Sequence, residues 1–284
     1  MDALTSSVQS TEVVAPINFI VPTGEKPFSY TYEPPPGKPW RNAAYEPRPV
    51  AVHDARLLAE KPTLETAGFT LVEAPSAVRD FYDEQQIEDT YYGEVETLVK
   101  KLTGASEVVV FDHTIRDGRN TKRDDKGIRE PVKRAHNDYT LKSAPQRVRD
   151  LLPPDEAERR LNKRFAIINV WRSIAGTIEE APLGIVDARS VTLEDFIASD
   201  LIYRDRLGET YGVRHNPAHR WFYYPAMNGD EAMVFKCYDS ATDGRARWTA
   251  HSAFDDPTSR PDAKPRQSIE IRTLVFFDED DPRA

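Results

Sequence analysis

Three residues of this chain have the types and spacing to hold a redox metal: His136 and Asp138, separated by Asn137, and His251 far downstream. Alternate residues of an extended segment share a face, so a His-x-Asp pair presents an imidazole and a carboxylate together. A second imidazole arriving from another strand would complete a two-His, one-carboxylate face with open coordination positions, the set diagnostic of non-haem Fe(II) oxygenases. Such triplets also arise by chance, and the bland reading is a surface histidine beside a turn-forming aspartate. Three features favour the metal. The triplet follows an irregular charged stretch and opens Tyr139-Thr140-Leu141, which reads as a first barrel strand. The chain between Asp138 and His251 is long enough for the strands of a jelly roll. The segment around His251, Trp248 to Phe254, precedes a loop and a last strand, where a closing ligand belongs.

An oxygenase of this kind must also anchor its cosubstrate. 2-Oxoglutarate chelates iron through its keto-acid end and needs a cation for the distal carboxylate, which the planar fork of arginine suits best. The last strand offers Arg266-Gln267-Ser268, where the Ser268 hydroxyl could donate to the same carboxylate. Arg272 shares parity with Arg266, Ser268 and Glu270 and is a rival anchor; the bland reading pairs one or both arginines with Glu270 or with neighbouring acids. Further polar candidates for substrate contact are Asn169, Arg172, Tyr223 or Tyr224, and Lys236, together with the aromatics Trp171, Trp221, Phe222 and Tyr224. Lys236 sits between Phe235 and Cys237, so it either turns to solvent or meets a carboxylate, because an unpaired buried charge is costly. The other histidines are weaker ligands: His53 and His113 read as structural, and His215 and His219 flank a turn.

The elements that must position these residues are legible from periodicity. Ile87, Tyr91, Val95, Leu98, Val99 and Leu102 recur at helical spacing, and Gly104 stops the helix. Residues 107–111 read as a buried strand, 116–133 as a charged loop, and 154–163 as a short helix entered at Pro154. From Arg164 onward the chain changes to strands: 165–171, 183–186, 221–224, 232–238 and 269–277, parted by turns such as Asn228-Gly229-Asp230 and Asp243-Gly244. Helical crossovers are scarce there, which predicts an antiparallel sandwich or jelly roll with flanking helices rather than a parallel sheet. Residues 33–49 hold six prolines, so residues 1–50 read as an extended N-terminal arm and 51–284 as one domain. Trp40 and Tyr45 on the arm would pack in a homodimer contact or over the site entrance.

The 284 residues carry a net charge of −9, which argues against nonspecific nucleic-acid binding. There is no apolar run long enough to span a membrane and no basic, then apolar, leader, so a cytoplasmic place is expected. The single cysteine, Cys237, excludes an intrachain disulfide and fits a reducing compartment.

Taken in order, several blocks resemble a known family. His136-Asn137-Asp138-Tyr139-Thr140, residues 164–172 (RFAIINVWR) and Pro182-Leu183 match its middle portion; residues 235–240 (FKCYDS), His251-Ser252-Ala253-Phe254 and residues 266–272 (RQSIEIR) match its distal portion. The chain thus resembles the fungal hydroxylase/desaturase group that includes the gibberellin desaturase, AsaB-type and CmcJ-like proteins, from about Asp54 to Phe277. The resemblance implies a double-stranded β-helix (jelly-roll, cupin-like) core. It implies an Fe(II)- and 2-oxoglutarate-dependent oxygenase that uses O2 to hydroxylate or desaturate a small molecule in secondary metabolism, with His136, Asp138 and His251 as ligands. The substrate would be apolar or peptide-like. One departure is Ser173, where the resemblance leads one to expect proline. Two other readings stay open from the sequence: the same triad without 2-oxoglutarate, and a jelly-roll binding protein without catalysis.

Overall fold

The computed structural model describes residues 11–119 and 128–278. In chain order, β1 (Glu12–Val21), β2 (Phe28–Tyr30), β3 (Ala44–Asp54) and β4 (Phe69–Glu73) precede α1 (Glu84–Gln86) and α2 (Tyr92–Thr103). Then come β5 (Glu107–Asp117), β6 (His136–Asn137), α3 (Ser143–Leu151) and α4 (Pro154–Leu161). The remainder is strand: β7 (Phe165–Ser173), β8 (Leu183–Val186), β9 (Phe196–Ile202), β10 (Leu207–Val213), β11 (Trp221–Tyr223), β12 (Glu231–Asp239), β13 (His251–Ala253) and β14 (Gln267–Phe276).

The strands form two sheets, a major one in the order β1-β3-β11-β8-β13-β6-β10-β9-β2 and a minor one in the order β4-β12-β7-β14-β5. Pairing is antiparallel except for β11 with β3 and β2 with β9. This is the double-stranded β-helix, and apolar burial explains its layering. The sequence of β7 alternates between two cores: Phe165, Ile167 and Trp171 face the major sheet beside Phe235, Met233 and Leu274, while Ala166, Ile168 and Val170 pack under α2. Both faces of β7 are covered, so every residue in it is buried.

The helix supporting the minor sheet shows how sequence sets geometry. Ile87, Tyr91, Val95 and Val99 are buried at a strict four-residue repeat, which outruns 3.6 residues per turn. The turn Ile87–Tyr91 widens to a π-helical one and re-phases the stripe. Gly104, at φ 71°, then ends the helix as expected.

Three expectations are corrected by the strands. Residue 50, expected as the arm's end, lies inside β3, which pairs residue for residue with β1; Val13, Ala15, Ile17 and Phe19 of β1 are core, so residues 12–54 belong to the major sheet. Tyr139-Thr140-Leu141 is no strand, because the Thr140 hydroxyl accepts from the backbone N–H of Lys142 and of Ser143 and turns the chain into α3. The charged stretch 116–133 begins inside β5, which runs to Asp117; residues 120–127 of it lie outside the described residues.

Candidate metal centre

β6 is only two residues long, yet it fixes the site. Its His136 pairs with His251 of β13 on one side and with Gly212 of β10 on the other. The two imidazoles lie with ring centroids 4.3 Å apart. Each donates its Nδ1–H to a backbone carbonyl two residues earlier: His136 to Arg134 at 2.8 Å, His251 to Thr249 at 3.0 Å. A carbonyl only accepts, so Nδ1 carries a proton, which leaves Nε2 as the nitrogen that can face a metal. Burial, reinforced by the neighbouring His251, pushes the His136 imidazole down to about 3, so it is neutral at physiological pH.

Asp138 completes the set. Its Oδ1 stands 3.6 Å from His136 Nε2, and ligand atoms of His136, Asp138 and His251 all lie within 4.8 Å of one another. The other oxygen, Oδ2, is taken: it accepts from Asn169 Nδ2 at 2.9 Å and from Arg272 Nε at 3.0 Å. Burial alone would raise this carboxyl; the Arg272 guanidinium, with the two imidazoles, holds it well below the usual carboxylate range. Two imidazole Nε2 atoms and one carboxylate oxygen therefore converge, and this donor set fits Fe(II).

Arg266, just before β14, and Arg272 within it share parity, yet their partners differ. Arg272 is spent on protein acids: besides Asp138 it reaches Asp112 at 3.3 Å, the Thr114 hydroxyl at 3.0 Å and Glu270. It is a support for Asp138, and the reading of Arg272 as a cosubstrate anchor is corrected on that ground. Arg266 is different. It is 3% exposed, donates from one terminal nitrogen to the Ala181 carbonyl at 2.6 Å, lies over the Trp171 ring, and leaves its Nε without a partner. The Ser268 hydroxyl, also buried, is likewise unpartnered. Burial, added to the field of Arg116, pushes the Arg266 guanidinium down to about 9. Two orphaned donors at and just before the start of β14, one of them a desolvated cation, fit a carboxylate that arrives with a ligand.

The remaining sequence candidates separate. Asn169 is at the site, bonded to Asp138 and at 3.3 Å to Glu270, with its Oδ1 unpartnered. Arg172 lies three residues on and so faces the opposite way, against the Tyr91 ring and the Ala74 carbonyl under the helical layer. Trp221 and Tyr223 face the outer core of the major sheet against Phe19 and Phe254, while Phe222 and Tyr224 point inward toward Phe69. Lys236 neither turns to solvent nor meets a ligand: it is buried and ion-paired with Asp239 at 2.7 Å and Glu65 at 3.3 Å. Glu270, which shares parity with Arg272, is its partner as the alternative reading had it; its contact with Asn169 carried no signal in the sequence. Sequence reasoning also missed Gly68, whose φ of +84° brings its backbone under Thr249. No sequence signal marks that contact.

His136 and Asp138 sit in a cleft of about 1030 Å³. Phe111, Thr114, Arg116, Tyr139, Arg147 and Tyr211 are among its lining residues. Phe111 is the extra residue of a bulge in β5 at the Arg272/Thr273 register shift, so both it and Asp112 turn inward.

A two-His, one-carboxylate face between the sheets of a jelly roll defines the non-haem Fe(II) oxygenase class. The comparisons agree. A family model described as an oxidoreductase/YMDC permease-like domain matches residues 17–276. The hydroxylase/desaturase efuI of Hormonema carpetanum is 32% identical over 97% of this chain and 99% of its own length. The Fe(II)/2-oxoglutarate-dependent dioxygenase nvfI of Aspergillus novofumigatus is 33% identical over 87% of this chain and 90% of its own. A solved structure of the iron and alpha-ketoglutarate-dependent endoperoxidase NvfI superposes with a TM-score of 0.83 at 30% identity, covering 94% of this chain and 98% of that one. The chain belongs to this family of hydroxylase/desaturases and Fe(II)/2-oxoglutarate-dependent dioxygenases. No helix among the described residues is long and apolar enough to cross a membrane.

Proposed function

We propose that this protein is an Fe(II)- and 2-oxoglutarate-dependent oxygenase that hydroxylates or desaturates a small molecule at an unactivated C–H bond. The observation that carries the reading is the pair of tautomer-fixed imidazoles facing the free Oδ1 of Asp138. When bound, Fe(II) with 2-oxoglutarate and O2 supplies the oxidising power, releasing succinate and CO2. His136, Asp138 and His251 would hold the iron. Arg272 and Asn169 fix Asp138 so that one oxygen stays available. Arg266 and Ser268 would receive the distal carboxylate of 2-oxoglutarate, a role supported by their unpartnered buried donors. Phe111, Tyr139 and Tyr211 along the cleft suit a substrate with an apolar body and keep bulk water from the C–H bond.

The reading extends to a reducing, cytoplasmic setting, supported by the one buried cysteine, Cys237. It extends also to a homodimer through the proline-rich segment, where Trp40 is 52% exposed. The deciding experiment is anaerobic Fe(II) titration with and without 2-oxoglutarate. A weak visible charge-transfer band should appear only when both are present, and His136→Ala should abolish it. Metal-loaded protein that gives no band with 2-oxoglutarate would sink the proposal.

A further inference from the structure

The charges lining the cleft are unevenly matched. Its carboxylates are mostly already answered by protein groups. Asp200 and Glu209 share Lys26 at 2.5 and 2.7 Å, and Glu209 also accepts from the Thr140 hydroxyl. Asp112 and Asp138 share Arg272. Glu84 lies 3.4 Å from His113, Asp150 accepts from Gln146, and Glu130 is exposed at the rim. Two of the cleft's cations are not answered in the same way. Arg147, rising from α3, stacks on Phe111 at 4.9 Å, and Arg134, just before β6, stacks on Tyr45 at 5.5 Å. Neither makes an ion pair or donates a side-chain hydrogen bond among the described residues. Arg134 is half-buried.

An arginine held over an aromatic ring spends none of its N–H donors on a carboxylate and keeps them for an oxyanion. Two such guanidinium groups line the cleft that also holds His136 and Asp138. Phe111 is turned inward by its bulge and packs on Tyr139 at 6.4 Å, so an apolar wall adjoins the Arg147 fork. The chain as a whole is acidic, at −9. Attraction of an anion therefore has to come from these local groups and not from the overall field.

We propose that the molecule oxidised in this cleft is an anion: an apolar body bearing a carboxylate, or an oxyanion of equal charge, received by Arg134 and Arg147. This rests on the oxygenase reading for the oxidation, but not for the binding.

The test is a fluorescence titration of the protein holding Mn(II) and saturating 2-oxoglutarate, so that the cosubstrate anchor is filled. The probes are anilinonaphthalene sulfonate and N-phenylnaphthylamine, which share an apolar body and differ in the anionic group. Wild-type protein should bind the sulfonate about tenfold more tightly, the value of one charge-assisted contact pair. That preference should fall at least threefold in Arg147→Gln or Arg134→Gln and vanish in the double variant. Arg260→Gln, a surface cation paired with Asp262 at 3.3 Å, should leave it unchanged. Equal affinity of wild-type protein for the two probes overturns the proposal, and so does a preference that survives the double variant. If a variant fails to fold, the wild-type comparison decides alone. A missing Fe(II)/2-oxoglutarate band would overturn the oxygenase reading and leave this titration standing.

Discussion

Asp138 gives one oxygen to the protein and leaves the other for a metal, and the proposed function gives Arg272 of β14 and Arg266 just before it different tasks. Arg272→Gln should weaken Fe(II) binding by about 10- to 100-fold, the usual cost of losing a group that orients a ligand, while the half-saturating 2-oxoglutarate concentration stays near wild type. Arg266→Gln should do the reverse. Anaerobic Fe(II) titration beside succinate release against 2-oxoglutarate separates them; an equal loss of 2-oxoglutarate affinity in both would return Arg272 to the cosubstrate. At this scale the triad was readable, because one imidazole and one carboxylate two residues apart can share a strand face. Asn169 was readable too. Arg172 was not separated from it, although an odd spacing within one strand sends two side chains to opposite faces. Trp221 and Tyr223 carried no such signal, since β11 is buried on both sides and apolar residues alternate with apolar residues.

Strands and their crossings bring the ligands together, and some of that depends on backbone alone. The Thr249 carbonyl that fixes His251 belongs to a residue whose hydroxyl donates to Gly68 at 3.0 Å. A Cβ on Gly68 would come within 2.4 Å of that hydroxyl, at a φ that side chains rarely adopt. Gly68→Ala should cost about 1–3 kcal/mol of stability and also lower Fe(II) affinity, read by denaturant midpoint and metal titration on the same protein. Unchanged iron affinity would show that Thr249 yields without moving His251. Around β12, the pair Lys236–Asp239 lies beside Arg164, which bonds Asp239 at 2.8 Å. Asp239→Ala removes the nearest carboxylate from two buried cations, leaving the part-exposed Glu65 at 3.3 Å from Lys236 and 3.4 Å from Arg164, and should cost about 3–5 kcal/mol. Lys236→Met leaves Asp239 with Arg164 and should cost distinctly less in equilibrium unfolding; the opposite order would contradict the pairing. Most strands and the main helix were legible from period and stop signals. The β6 site strand was not, because two residues have no period, and its pairing is set by β10 and β13 from far along the chain.

Across the whole molecule, binding at the triad should appear as stability. A metal held by the folded chain alone, at a hundredfold excess over its Kd, adds about 2.7 kcal/mol. For a chain of this size that is on the order of 5 °C in Tm. Mn(II) with 2-oxoglutarate should raise the melting temperature by that amount in wild-type protein and not in His136→Ala, checked by scanning calorimetry. The fold class was legible from strands without crossovers. The fate of residues 12–54 was not, because prolines suggest a free arm, while β1 in fact presents a buried stripe to the major sheet. One feature of the centre reaches furthest. Both imidazoles stand on the major sheet, whereas the carboxylate is gripped by Asn169 and Arg272 of the minor one. A cation shared by all three is therefore a rivet through both leaves of the sandwich. Its escape rate becomes a clock for how often the two leaves part, and amide exchange in β13 and in β14 should slow together when the rivet is in place.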